Sequence, residues 1–285
     1  MTSRRPQELV FTLFGEYLLR QDRPIWVGSL IAFLKPFRVN EGAVRTVLSR
    51  MSRKRWLTSK RSGRNSYYAL TPKGRRLVEE GEEHILHPPR RADWDRRWCL
   101  LTYSIPEDVR HLRDRLRLRL AWMGFGSLGN GVWISPHPSY DKVTEMAQEM
   151  GLEGNLVCFD AHQLSCTSTH DLVSRCWDLP KLQDRYQDFL ARWQPEMERW
   201  LREIEAGEVR DDRAFRLRFQ LIHEFRAFPL EDPFLPDPLL PAEWAGWSAG
   251  QLFNRLHGFL EEPSARYVEA VLSREPPYRG RSRSP

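Results

Sequence analysis

Residues 40–55 read N-E-G-A-V-R-T-V-L-S-R-M-S-R-K-R and residues 56–72 continue W-L-T-S-K-R-S-G-R-N-S-Y-Y-A-L-T-P, and this run decides the fold of the N-terminal third of the chain. Asn40 is a residue type that caps helix N-termini. Behind it Val44, Val47, Leu48 and Met51 recur at helical spacing, which predicts a helix over residues 41–54 with one apolar stripe. At about 100° per residue, Arg45, Thr46, Ser49, Arg50 and Arg53 project from the other side. Next, Trp56–Lys60 and Ser66–Leu70 are β-prone segments joined by Arg61-Ser62-Gly63-Arg64, whose glycine suits a tight turn. Thr71-Pro72 then opens a helix that carries toward Gly81.

Upstream, Val10, Leu13, Phe14, Tyr17 and Leu18 predict a scaffold helix over residues 7–20, and Ile25–Leu34 reads as a second helix stopped by Pro36. Helix, turn, helix and two-stranded ribbon in this order, with thirteen Lys/Arg against one acid between Lys35 and Arg76, are the footprint of a winged-helix DNA-binding domain. A charge run is usually just a solvated face. Here the ribbon adds Lys60, Arg61 and Arg64 beside the helix cations. That convergence favours contact with duplex phosphate and base edges.

The basicity is local. Residues 1–91 carry 19 Lys/Arg and 8 Asp/Glu, or +11, so the remaining 194 residues carry −5 of the net +6. A protein that coats nucleic acid is expected to spread its charge, whereas a regulator with a separate dimerisation or sensing body concentrates it. The chain, 285 residues long and 41% hydrophobic, has material for two or three domains. It has no run of ~18 apolar residues and no apolar signal core after Met1, so a cytoplasmic location is expected. Cys99, Cys158, Cys166 and Cys176 form no C-x-x-C pair and read as reduced thiols, three or four of them buried.

The second region reads as βαββαβ. Strand Trp98–Ile105 precedes a helix marked by Val109, Leu112, Leu116, Leu120 and Met123. Phe125–Leu128 and Val132–Ser135 flank the turn Gly129-Asn130-Gly131, and a helix near 140–150 with strand Leu156–His162 completes a ferredoxin-like unit. From Asp171 the pattern turns helical, interrupted by Pro229–Pro241, where five prolines in thirteen residues predict an extended, ordered strap. The fold class is therefore multi-domain α+β: winged helix at 1–91, with a linker at Pro88-Pro89-Arg90-Arg91; a ferredoxin-like domain at 92–170 serving dimerisation or sensing; a helical C-terminal domain at 171–276; and a disordered basic tail at 277–285.

Weaker signals take the plainer reading. The five arginines Arg110, Arg113, Arg115, Arg117 and Arg119 read as a solvated face balanced by Glu107, Asp108 and Asp114. Most of the eleven tryptophans read as core. His137, His162 and His170 with Cys158 and Cys166 lack metal-ligand spacing, so no metal is assigned. His223 and Arg226, near Asp232, either contribute to a pocket for an anionic effector or tie the proline-rich strap to its neighbouring helix.

Three segments carry a resemblance to the PaaX family of bacterial regulators: Ala43 to Met51 with Gly63-Arg64 and Tyr68-Ala69-Leu70-Thr71; Trp98 to Pro106; and Asp232-Pro233-Phe234-Leu235-Pro236 with Leu239-Leu240-Pro241-Ala242-Glu243-Trp244. The resemblance implies a homodimeric repressor of an aromatic-acid, phenylacetate-type catabolic operon. It would occupy palindromic double-stranded operator DNA and release it on binding an aromatic acyl-coenzyme A such as phenylacetyl-coenzyme A, with no catalytic residue and no cofactor. The middle domain resembles the small CRISPR-associated endonuclease fold, in which an acidic residue near the end of the first strand serves metal-dependent hydrolysis. Here Ser104 stands at that place, which argues against a nuclease, because a hard cation wants charged oxygen ligands. The alternatives are a metal-dependent nuclease relying on Asp108 or Asp160, and a DNA-binding protein with no effector.

Overall fold

The computed structural model describes residues 6–21, 23–86, 93–164 and 166–278. Helix α1 (Pro6–Leu13) continues as a π-helical turn over Phe14–Leu18. The expected second helix is divided: Ile25–Trp26 form a short strand, β1, and α2 spans Val27–Leu34. β1 pairs antiparallel with β3 (Asn65–Leu70), Ile25 opposite Tyr68, so ladder hydrogen bonds outside the local sequence claim its backbone.

Helix α3 (Glu41–Arg53) is capped as expected, with the Ala43 N–H donating to Asn40 Oδ1 at 2.8 Å. β2 (Leu57–Ser62) pairs with β3 throughout, and the strands reach further than the propensities indicated, leaving a two-residue turn at Gly63-Arg64. Gly63 holds φ +60, the glycine-first pattern of a hairpin turn. Helix α4 (Pro72–Leu86) starts on Thr71, whose Oγ1 accepts from the Gly74 N–H at 3.0 Å and donates to the Arg55 carbonyl at 2.6 Å. It passes beyond Gly81, and the linker Pro88–Arg91 lies outside the described residues.

β4 (Arg97–Tyr103), α5 (Arg110–Trp122), β5 (Gly126–Gly129), β6 (Val132–Ser135), α6 (Tyr140–Met150) and β7 (Leu156–His162) make the ferredoxin-like unit. Its sheet is antiparallel in the order β5-β6-β4-β7. Cys99, Leu101 and Trp133 face a core completed by Leu116, Leu120, Val143 and Met146, the inward residues of the two helices. Helices α7 (Thr169–Cys176), α8 (Leu179–Glu205), α9 (Asp211–Phe225), α10 (Ala245–Phe259) and α11 (Glu261–Leu272) follow.

Two compact units divide the chain differently from its linear order. One comprises the described residues of Met1–His87, Arg192–Arg226 and Gln251–Pro285; the other comprises those of Pro88–Ala191 and Ala227–Gly250. The single helical domain expected at 171–276 is thus shared between them. The physical reason lies in the core of the first unit, where Phe215 and Phe219 of α9 and Val268 and Leu272 of α11 are buried together with Val44, Leu48 and Met51 of α3. Phe37 stacks on Phe219 at 4.2 Å between centroids.

In the second unit the proline-rich strap is ordered. Asp232 accepts from Tyr186 OH and from the Phe234 N–H, each at 2.7 Å, and Leu235 and Leu239 are buried. Burial raises the Asp232 carboxyl above its ordinary range, against the pull of those two hydrogen bonds.

Two smaller expectations also change. Only Cys99 is buried; Cys158 and Cys176 are half-buried and Cys166 is exposed. The tail does not begin at 277, because the Tyr278 ring packs on Tyr67 at 5.0 Å and Tyr67 OH donates to the Pro276 carbonyl at 2.8 Å. Residues 279–285 lie outside the described residues.

Candidate nucleic-acid interface

Helix α3 buries Val44, Val47, Leu48 and Met51 and exposes Arg45, Thr46, Ser49, Arg50 and Arg53, the division expected from spacing. The exposed residues form two adjoining rows, Arg45 with Ser49 and Thr46 with Arg50 and Arg53, because side chains three and four apart share a face. Lys60, Arg61 and Arg64 are exposed at the end of the β2–β3 ribbon. The fold therefore places all eight on the solvent side of one unit.

They are not chemically equivalent. Arg45 is held by Glu41, with Nε and Nη2 each 2.8 Å from Oε1. The Thr46 hydroxyl donates to the Gly42 carbonyl at 2.8 Å, so its methyl remains the free contact group. The side chains of Ser49, Arg50, Arg53, Lys60, Arg61 and Arg64 make no hydrogen bond or ion pair among the described residues. Free guanidinium groups can bind phosphate or take guanine bidentately, and a threonine methyl suits thymine.

Several exposed cations of the same unit went unassigned in the sequence. Lys54 lies over the Trp56 ring at 4.5 Å, and Arg38 and Arg55 hold φ of 63 and 57. They were visible as part of the basic run. Their placement was not, since left-handed arginines at the ends of helical segments are set by the chain turning into the next element.

His223 and Arg226 tie α9 to α1. Arg226 Nη1 donates to the Glu8 carbonyl and to Thr12 Oγ1, each at 2.9 Å, and His223 Nδ1 lies 3.0 Å from the same hydroxyl. This is the structural tie allowed by the sequence, with α1 in place of the strap. Of the arginines on α5, Arg110 and Arg113 pair with Glu107, Arg119 with Glu149, and Arg117 donates to Tyr103 OH at 3.0 Å. Asp160 is held by Arg97 through both carboxylate oxygens, and that neighbour lowers its pKa below the ordinary value. Among the described residues no three His, Cys, Asp or Glu side chains converge as metal ligands, and no helix is long and apolar enough to cross a membrane.

Comparison with known proteins covers nearly the whole chain. Three family models match in order: PaaX-like protein over residues 5–74, PaaX protein central Cas2-like domain over 91–173, and PaaX-like protein C-terminal domain over 177–270. The transcriptional repressor PaaX of Escherichia coli (strain K12) is 37% identical over 247 residues, which cover 86% of this chain and 77% of the relative. Among solved structures, the uncharacterized protein Rv0674 from Mycobacterium tuberculosis superposes with a TM-score of 0.60 at 21% identity, covering 94% of this chain and 98% of that one. That likeness extends the fold match across both units' sequence.

Proposed function

Since the chain belongs to the PaaX family of regulators, we propose that it is a DNA-binding transcriptional repressor, not an enzyme, and that it reads operator DNA with α3 and the β2–β3 ribbon. The observation that carries this reading is the set of exposed, unpaired cations on those two elements, Arg50 and Arg53 with Lys60, Arg61 and Arg64. In the mechanism, α3 enters a major groove while the ribbon grips the adjacent backbone. A two-fold dimer matches a palindromic operator, with half-site spacing set by the protein's symmetry.

Release requires an effector that binds the DNA-incompetent arrangement more tightly, because equal affinity for both arrangements shifts nothing. An aromatic acyl-coenzyme A is the effector class that family resemblance supports, and an aromatic-acid catabolic operon is the matching target. The experiment is binding of the purified chain to DNA from upstream of its own gene, at fixed salt, with and without a panel of aromatic acyl-coenzyme A thioesters. Sequence-specific binding abolished by one thioester is the expected result. Binding that does not distinguish this DNA from unrelated duplex overturns the repressor reading, and specific binding indifferent to every thioester overturns the effector.

A further inference from the structure

In the β1-β3-β2 sheet of the first compact unit, residues directly opposite one another share a face. Ile25, Tyr68, Leu57 and Leu70 lie on the face that meets the core under α3. Trp26, Tyr67 and Lys60 form a row across the other face. Tyr67 is nevertheless fully buried, and residues 275–278 are part of its cover. Its hydroxyl donates to the Pro276 carbonyl at 2.8 Å, and its ring meets that of Tyr278 at 5.0 Å between centroids. Glu275 accepts the Trp26 N–H at 3.1 Å and pairs with Arg23, its own side chain only 2% exposed.

Successive residues of this segment thus move from β1 to β3, and the next position in the same row is Lys60 on β2, exposed beside Arg61 and Arg64. The chain then continues R-G-R-S-R-S-P over residues 279–285, with no acid after Glu275. A basic run by itself is usually solvated. This one leaves from an anchor built on a strand of the ribbon. At no more than about 3.6 Å per residue, Arg279, Arg281 and Arg283 all lie within about 18 Å of Tyr278. So short a tether gives the three arginines a high effective concentration at any duplex the ribbon holds.

We propose that Arg279, Arg281 and Arg283 form a further DNA contact, a basic arm that binds duplex phosphate next to the stretch gripped by Lys60, Arg61 and Arg64. The proposal rests on the reading of α3 and the ribbon as the DNA-facing elements. Arginine takes phosphate through charge-assisted, bidentate hydrogen bonds, and the glycine and serines between the arginines add no acid to oppose it. Short basic arms beside a helix-turn-helix body are an established way of extending its hold on the duplex. The anchor supplies what the arm's own sequence lacks, a fixed point of departure beside the ribbon.

Fluorescence anisotropy of the full chain on DNA from upstream of its own gene and on an unrelated duplex, from about 0.05 to 0.2 M salt, tests the proposal. Arg279→Gln/Arg281→Gln/Arg283→Gln should weaken binding to both duplexes by about tenfold or more at the low-salt end. It should also reduce the slope of log affinity against log salt by about 2 to 3, at about 0.9 per phosphate. The matching triple Arg→Lys variant should bind as the wild type does, because a phosphate contact asks chiefly for charge. Neither variant should move the thermal melt, since Glu275, Pro276 and Tyr278 are kept. A Gln variant with the wild-type affinity and slope, or a loss confined to the upstream DNA, overturns the arm. Absence of duplex binding by the wild type at about 0.05 M salt overturns the DNA reading itself and the arm with it.

Discussion

At the scale of single residues, exposure separates contact from stability. Arg50→Ala removes an exposed side chain with no hydrogen bond or ion pair among the described residues, so unfolding free energy should stay within about 0.5 kcal/mol. DNA affinity should fall, with the salt slope reduced by about 1 if the lost contact is a phosphate. Leu48→Ala, on the opposite face and fully buried, should cost about 2–5 kcal/mol in a denaturant melt. The reverse pattern would mean that α3 faces the other way. Glu16 is a different case. Burial alone would raise its carboxyl, but the hydrogen bond from His257 and the charge of Arg218 carry it below the ordinary 4.5. A carboxylate depressed in the folded state contributes stability above its unfolded pKa, and that contribution is lost as pH falls through the folded value. Glu16→Gln should therefore destabilise the protein at neutral pH, on the order of 3 kcal/mol, by leaving Arg218 buried without its counter-charge. Its stability should also fall less steeply below about pH 4.5 than that of the wild type. Parallel pH-dependent melts of the two proteins check both statements. The identity of these residues was open to sequence reading only in part: the α3 rows follow from spacing, whereas nothing in the spacing of Glu16, Arg218 and His257 shows that they meet.

At the scale of elements, local chemistry specified helices and turns well and borrowed strands poorly. Asn40 and Thr71 cap the helices they precede because a side-chain oxygen beside a free N–H is a local event. β1 escaped notice because its strand character comes from β3, forty residues away in the chain, and not from its own two residues. Gly74 shows the same dependence. A Cβ on it would stand 2.0 Å from the Trp56 carbonyl oxygen, so the first turn of α4 fits against the chain entering β2 only as glycine. Gly74→Ala should cost about 1–3 kcal/mol, with hydrogen exchange accelerated in α4 and the ribbon before the rest of the unit. Gly63→Ala meets no neighbour, yet at φ +60 it should cost about 1–2 kcal/mol of backbone strain. Unchanged melting of Gly74→Ala would show that α4 can shift at little cost.

At the scale of the whole molecule, the winged helix does not own its core. Phe215, Phe219, Val268 and Leu272 come from the far end of the chain, and Glu275 receives the Trp26 N–H at 3.1 Å. A fragment ending at residue 91 would expose the apolar surface those residues cover, at about 25 cal/mol per Å². It should lack a cooperative thermal transition and bind a hydrophobic dye, whereas a melt matching the full chain would show a self-sufficient domain. The amino-acid sequence by itself determined the winged helix, the βαββαβ order, the exposure of the eight residues singled out on α3 and the ribbon, and the family, because periodicity, capping and clustered charge are written over short distances. Only the tertiary structure decided that the C-terminal helices are divided between two units and that His223 and Arg226 hold α1. Those facts depend on which apolar faces cover one another across some two hundred residues, and side-chain pattern sets the existence of such a face without naming its partner.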